Sequence, residues 1–560
     1  NNFMNSDTNI HSSSYNITLV LLAISIPLSK FTMSITEFML LGLWLWSGFS
    51  FRISYRFFNL GGIFKGTLHL FKYIVSLAYN NLIDKFTLLF RNKPALIFCL
   101  LYVIHILGLL YTSDIDYALK DLRVKLPLIL LPVVIATMHK LSYKVLRNLL
   151  LLYSLAVLVS TLISTGVYLT GSYIDIREIS ILISPIRLGL NVSFAAFIML
   201  YFTIHDSNFK LYQKGIFILM GLWFVTFLFL LESVTSIVII VVLSVLYLII
   251  RVYNTMFLWQ KLVLFGIAII VPLVFFIQVR SMIIDATTAP EINYSELDVF
   301  TPYGNQYLHD TADLLIENGK YVSYYICYEE LKTEWNRRSN IDYHGKTSTG
   351  QRINTTLIRY LTSKDLRKDK DGIMSLTDAD ISYIEQGTAN HNYINNPGLR
   401  TRILKMIKGY EVFVRTGNPS GSSLMQRIEY FHASFNIIRQ NLIFGVGTGD
   451  LESAFNNEFN RMYSALEERY RYHAHNQFLG IFVALGILGF IIFIIGLFYP
   501  AIKLGGFKDY FFTIFFIIIF ISMFSDDTIE TQAGVTLFAF FYSLLLFGRK
   551  KGDNFPANLH

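Results

Sequence analysis

Charge is scarce in this chain: Asp, Glu, Lys and Arg make up 15% of its 560 residues, against roughly 25% in a soluble domain. With 53% hydrophobic and 16% aromatic residues and a mean hydropathy of +0.48, the shortage excludes an ordinary soluble globule and indicates a membrane protein. Cysteine is nearly absent. Cys99 lies in an apolar segment and Cys327 in a polar one, far apart in sequence, so no disulfide framework is expected. The opening stretch "NNFMNSDTNIHSSS" has no basic run ahead of its first apolar segment, so no cleavable signal is expected and that segment reads as an anchor. No repeat of 20–50 residues is visible. What excess charge exists is positive, +8 with a pI near 9.1. In a polytopic protein this reflects Lys and Arg in cytoplasmic loops, not a nucleic-acid partner.

Apolar segments recur at 17–28, 36–49, 95–111, 126–138, 149–169, 188–204, 215–231, 234–250, 262–279, 478–498, 510–524 and 535–548. A full crossing needs about 20 residues. The twelve segments predict an all-α polytopic protein of about 12 transmembrane helices, the first two forming a tight hairpin at "SKFTMS". Nine spans fall in 1–279 and three in 476–548. Lys140/Lys144/Arg147, Lys210/Lys214, Arg251/Lys261, Lys503/Lys508 and the tail 549–560 read as cytoplasmic. So does 51–93, where aromatics alternate with Lys and Arg as in an amphipathic segment on the inner leaflet. The polar stretch 280–475 then lies outside as one large loop, with 281–400 enlarged and without clean periodicity and 401–475 carrying the motifs. One outer loop breaks the charge rule with Lys120, Arg123 and Lys125. Either an anionic ligand explains them, or Asp114, Asp116 and Asp121 balance them.

Candidate chemistry gathers at outer helix ends. "RYHAHNQFLG" (471–480) places His473, His475 and Asn476 ahead of a long apolar run. A histidine at a water–membrane boundary suits general-base work; the plainer reading is that His475 and Asn476 cap a helix. Gly486 and Gly489 on that helix permit close backbone approach. Arg427, beside an apolar stripe of Ile428, Phe431 and Phe435, is either a surface arginine or a bidentate phosphate clamp. Gly445, Gly447 and Gly449 in "FGVGTGD" form either an anion-binding turn or a simple connector. Arg187 and Arg280 stand at outer ends of two membrane helices. With Arg427 they either build a diphosphate pocket or snorkel separately. Asp526, Asp527 and Glu530 in "SDDTIETQAG" either orient a histidine or arginine or remain solvated. His105 reads as a hydrogen-bonded core histidine. Asp369/Asp371 and Asp378/Asp380 match a short acidic pattern used for metals by sugar-nucleotide transferases, but stand in the outer loop where such donors are absent. A calcium loop over "RKDKDGIMSLTD" fails because Arg367 takes its first ligand position. No metal site is expected.

The segments "RIEYFHASFNIIRQNLIFGVGTGD", "HAHNQFLGIFVALGILG" and "DDTIETQAGVTLFAFFYSLLL" together resemble bacterial O-antigen ligase and O-antigen polymerase-type membrane glycosyltransferases. His475-Asn476, nine residues, then Gly486-x-x-Gly489 fits that family's signature at every defined position, and residues 427–489 carry the specific match. The resemblance implies a GT-C-like fold in the bacterial inner membrane, with the site facing the periplasm. It implies an inverting transfer, without metal or cofactor, of a glycan from an undecaprenyl-diphosphate carrier to an acceptor hydroxyl. In ligases the acceptor is a lipid A core sugar and in polymerases another carrier-linked repeat; protein O-oligosaccharyltransferases share the group. His475 maps onto the family's acceptor-activating histidine and Arg427 onto the arginine that holds the diphosphate. A second family arginine is missing: "ESVTSIVII" has Thr235 and Ser236 at that place, so Arg187 or Arg280 would have to replace it. A lipid-linked glycan flippase is the competing class; it predicts internal repeats and mid-helix charges, which the sequence does not display.

Overall fold

Long runs of Leu, Ile, Val and Phe without helix breakers satisfy every backbone group internally, the form a chain takes in hydrocarbon. The computed structural model of the protein is accordingly almost entirely helical. It describes residues 2–47, 76, 79–171, 176–254, 257–289, 291–313, 315–395, 399–420 and 422–550. Most of the amphipathic stretch expected over 51–93, and the last ten residues of the tail, lie outside the described residues. The chain divides into two compact units: the first is Asn1–Met256 with Gln426–His560, the second Phe257–Met425.

In the first unit, α1 (Asn2–Leu28) and α2 (Lys30–Trp46) pack on one another across a single break at Ser29, the tight hairpin that the sequence suggested. A helix at 79–91, α3, is followed by α4 (Lys93–Leu107), α5 (Ile115–Lys125), α6 (Pro127–Thr137), α7 (Tyr143–Thr170), α8 (Pro185–Ile204), α9 (Leu211–Leu230) and α10 (Val234–Asn254). After the second unit come α18 (Ser423–Gln440, entering the first unit at Gln426), α19 (Leu451–Arg461), α20 (Gln477–Lys503), α21 (Tyr510–Ser525) and α22 (Gln532–Phe547).

Two helices form the centre. α8 and α22 are apolar on all sides and buried nearly all round, as such helices must be. α22 packs on α6 and α21, and α8 on α7, α9 and α21. Ring contacts tie them together: Phe541 lies 4.8 Å from Tyr153 and 5.1 Å from Phe194, which lies 5.2 Å from Phe515. Each such pair adds about 0.5–1.5 kcal/mol beyond area burial. Polar contacts add to the packing: the Tyr153 hydroxyl donates to Asn191 Oδ1 (2.7 Å), and Asn191 donates to the Arg187 carbonyl (2.7 Å), fixing the first turn of α8.

Where they are described, all twelve apolar segments fall mainly on helices. Among the described residues, six helices have the length and apolarity to cross a membrane: Lys93–Tyr111, Tyr143–Thr170, Pro185–Ile204, Leu211–Leu230, Leu258–Thr287 and Gln477–Lys503. Val234–Ile250, Tyr510–Ser525 and Gln532–Phe547 are apolar but shorter. At 1.5 Å per residue, α6 is only about 16 Å long, roughly half a hydrocarbon core.

The second unit takes up 257–279 with most of the expected loop; residues 426–475 belong instead to the first unit. α11 (Leu258–Thr287) packs on α17 (Leu399–Thr416) and on a two-stranded hairpin, β1 (Ile316–Glu317) with β2 (Lys320–Tyr321). Short helices α12 (Tyr328–Arg338), α13 (Ile353–Ser363), α14 (Lys370–Met374), α15 (Asp378–Glu385) and α16 (Asn392–Asn395) complete it. Its core centres on Trp335, Leu357, Tyr360 and Leu361. Both acidic patterns serve this fold. Asp369 caps α14 and Asp371 accepts from Tyr303 (2.7 Å); Asp380 accepts from Tyr360 (2.5 Å) and Lys364 (2.8 Å), and Asp378 pairs with Arg338. Cys99 and Cys327 are buried free thiols, one in each unit.

Candidate functional site

The start of α20 sets the geometry. Asn476 is its N-cap: Oδ1 accepts from the Leu479 N–H (3.0 Å), and Nδ2 donates to the Phe524 carbonyl (3.0 Å) at the end of α21. The capping role read for the pair thus falls to Asn476. His475 stands just outside the helix at φ 45°, a conformation costly for a side chain with a Cβ. Its ring sits between Tyr430 of α18 (5.5 Å) and Tyr472 (5.9 Å). The Tyr430 hydroxyl is held by the Tyr470 carbonyl (2.5 Å).

The acidic loop between α21 and α22 faces this ring. His475 Nδ1 is 3.4 Å from Asp527 Oδ2 and 3.9 Å from Asp526 Oδ1. Burial, then the Glu530 charge, pushes the Asp527 carboxyl up to about 7; Arg187 and the backbone N–H groups of Asn476 and His475 oppose this. Burial also holds His475 down to about 4, helped by Arg427, His473 and Arg187. At neutral pH the imidazole is therefore uncharged. Nδ1 faces Asp527 at 3.4 Å without a hydrogen bond; with the proton on Nδ1, Nε2 is the nitrogen that can accept one.

Arg427 lies on α18 one turn before Tyr430. It is half-buried, and its guanidinium makes no hydrogen bond or ion pair among the described residues. Burial lowers its pKa, and Asp527 and Tyr430 partly restore it. Of the two arginines that act on His475, Arg427 is the one with no paired carboxylate among the described residues.

Arg187 is close but committed. Its guanidinium pairs with Asp526 and donates to the Asp527 carbonyl (2.8 Å) and Thr531 Oγ1 (3.2 Å), so it fastens α8 to the acidic loop. Glu530 is not solvated: it meets Lys125 Nζ (2.6 Å) and Gln477 Nε2 (2.9 Å). His473 packs tilted against Phe455 (5.9 Å), and burial depresses its pKa against the pull of Glu530 and Glu452. Arg280 belongs to the second unit, exposed on α11. Where the family's second arginine is missing, Thr235 Oγ1 lies 3.2 Å from Ser525 Oγ, and buried Ser236 bonds Ser233.

The glycine turn is a clasp whose amides are spent. Gly445 N–H goes to Asn441 O (3.0 Å), Val446 N–H to Val483 O (3.0 Å), Gly447 N–H to Ala484 O (2.9 Å) and Gly449 N–H to Thr112 Oγ1 (2.9 Å). α20 is broken at Gly486 (φ 63°), and Ile487 N–H turns outward to Leu442 O (2.9 Å). The turn therefore supplies the partners that the break removes from the helix. A Cβ at Gly486 would overlap the Ile443 carbonyl, and one at Gly445 the Ala484 backbone. Close backbone approach holds at Gly486, whose neighbour is the turn; at Gly489 the crowding atom is Leu485 of the same helix. Asp450 accepts from the Ser113 and Asp114 amides (2.8 and 3.0 Å), and Thr448 bonds the His105 carbonyl (2.8 Å). His105 itself is a buried histidine bonded to Leu101 O (2.8 Å).

Gln477, Tyr430 and Lys125 escaped the sequence reading as site residues. Only Lys125 left a signal, as a cation on the wrong side of the charge rule; of its two companions, Lys120 and Arg123 are exposed.

Residues 387–494 match the model of a protein family described as O-antigen ligase. The match contains Arg427, the glycine turn, His475 and the break at Gly486, and encloses the 427–489 stretch on which the resemblance rested. It stops short of the acidic loop and does not reach Lys125 or Arg187. No curated protein matches the chain.

Proposed function

We propose that this protein transfers a glycan from a lipid diphosphate to an acceptor hydroxyl, as an O-antigen ligase-type glycosyltransferase. The observation that carries the reading is the half-buried guanidinium of Arg427, uncommitted among the described residues, beside a neutral histidine whose Nδ1 faces the Asp527 carboxyl. The family match supports ligase- or polymerase-type activity for the segment that bears both.

In the proposed reaction, the acceptor oxygen attacks the anomeric carbon from the face opposite the leaving group. His475 Nε2 takes the hydroxyl proton as the new C–O bond forms, which activates a poor nucleophile. The old C–O bond breaks, and its electron pair leaves on the carrier diphosphate. Arg427 neutralises the charge developing there, the larger of the two tasks. Inversion follows from the single displacement. The donor we assign is an undecaprenyl-diphosphate-linked glycan, the acceptor a lipid A core sugar. The setting we assign is a chain of about 12 spans in the bacterial inner membrane, its site at the periplasmic face.

The test incubates the purified protein with undecaprenyl-diphosphate glycan and either lipid A core or a second carrier-linked repeat. Product on the lipid A core supports the ligase. Longer carrier-linked chains would transfer the proposal to a repeat-unit polymerase, and glycosylated protein to an oligosaccharyltransferase. Normal transfer by folded His475→Ala and Arg427→Ala variants would refute the site. Loss of activity with a chelator would refute metal independence.

A further inference from the structure

Lys125 is the cation that the charge rule did not place. It is 3% exposed, at the end of α5, with Nζ 2.7 Å from Asp121 Oδ2 and 2.6 Å from Glu530 Oε2. A fully buried ammonium is retained only with good partners. What those partners hold is the informative part. Glu530 Oε1 accepts from Gln477 Nε2 (2.9 Å), and Gln477 Oε1 accepts from the Ile529 N–H (2.8 Å). Gln477 is fully buried. It follows His475 by two residues, and Glu530 follows Asp527 by three. The two-bond clamp between Gln477 and the Ile529 N–H and Glu530 carboxylate therefore joins the segments that carry the imidazole and the Asp527 carboxyl, and Lys125 secures that clamp from a third element.

We propose that Lys125 is a positioning residue for the base: through Glu530 it fixes Gln477 and the acidic loop, and so sets His475 against Asp527. The inference rests on the assignment of His475 as base. The same network tunes the pair electrically. The groups facing Asp527 are His475 ahead of α20, Arg187 from α8, Arg427 from α18, and Asp526 and Glu530 on its own loop. Glu530 is the charge among them that makes ionising Asp527 harder, and Lys125 keeps Glu530 ionised.

Three folded variants test this in the transfer assay, with His475→Ala alongside. Lys125→Met strands two buried carboxylates, Asp121 and Glu530, and its kcat is expected to fall about tenfold or more while the donor KM stays within about twofold. Lys125→Met/Asp121→Asn/Glu530→Gln strands no charge and should regain most of that loss. Glu530→Gln keeps an oxygen for Gln477 but removes the charge, so the acid limb of kcat/KM should move to lower pH by about half a unit or more. Wild-type kcat in Lys125→Met, or an unmoved acid limb in Glu530→Gln, overturns the inference. Should Lys125→Met fail to fold, the acid limb of Glu530→Gln decides alone. If His475→Ala is inactive while Lys125→Met is normal, only the positioning role falls. If His475→Ala is active, the base assignment falls first.

Discussion

Asp527→Asn should make the protein more stable at alkaline pH and nearly inactive at every pH. The carboxyl is pushed up to about 7 from an ordinary 3.8. Below pH 4 it is protonated whether the chain is folded or not. Between pH 4 and 7 the unfolded chain releases a proton that the folded chain keeps, so stability falls as pH rises through that window and is level above it. At about 1.4 kcal/mol per pH unit, the loss is roughly 4 kcal/mol in full and about 3 kcal/mol of it between pH 5 and 8. His475 has the opposite slope: held down to about 4 from 6.5, it costs stability as pH falls through that range, because the unfolded chain takes up the proton first. Asparagine removes the first slope and leaves the second.

Melting temperature in detergent, followed by intrinsic fluorescence at several pH values, reads the effect. The variant's advantage should grow by roughly 2–3 °C between pH 5 and 8. Any fixed cost of seating the amide cancels in that comparison. Transfer activity should meanwhile fall by about 10²–10⁴, since an amide no longer holds the Nδ1–H tautomer. An advantage that does not change with pH, or a variant that transfers glycan normally, would refute the reasoning.

Arg427→Ala should lower kcat/KM for the lipid-diphosphate donor by about 100-fold. Arg427→Lys should recover little of it, because an ammonium lacks the planar fork; equal activity of the two would argue against a bidentate contact. Gly486→Ala places a Cβ at φ 63° against the Ile443 carbonyl, and is expected to cost at least about 2 kcal/mol, seen as a drop of about 2 °C or more in melting temperature. Asn476→Ala removes the cap of α20 and should cost about 1 kcal/mol, with the acid limb of the rate profile unmoved. A shifted limb would mean that Asn476 acts on the base itself.

His475 and Arg427 could be proposed from the sequence because their signals are local: a histidine at a fixed spacing from a glycine, and an arginine on a short stretch that falls within the family match. The division of labour in the acidic loop was not. Asp526, Asp527 and Glu530 lie within five residues, and the pairing of each is decided by a different distant element: α8, the start of α20, and α5. Glycine-rich turns have a similar ambiguity. The spacing of Gly445, Gly447 and Gly449 reads the same whether their amides are free for an anion or spent on a broken helix, and the break at Gly486 decides it. Apolar segments announced their positions faithfully, but not their lengths as helices, so α6, α21 and α22 fall short of a full span. Residues 281–400 hid their fold for a different reason. The helices there run 4 to 11 residues, too few turns to establish a period.

The charges around His475 imply an order of events for the proposed reaction. Four carboxylates, Asp121, Asp526, Asp527 and Glu530, face three cations, Lys125, Arg187 and Arg427. With Asp527 protonated the cluster balances, yet the balance is uneven: Arg187 is neutralised by Asp526 and Lys125 by its two carboxylates, while Arg427 has no carboxylate bound to it. Its unneutralised charge is one of the causes that keep His475 a weak base. A diphosphate seated on Arg427 removes that cause and adds negative charge of its own, and both changes raise the proton affinity of the imidazole. The base therefore strengthens when the donor arrives. In the proposed reaction, then, the event that supplies the leaving group also strengthens the group that prepares the nucleophile.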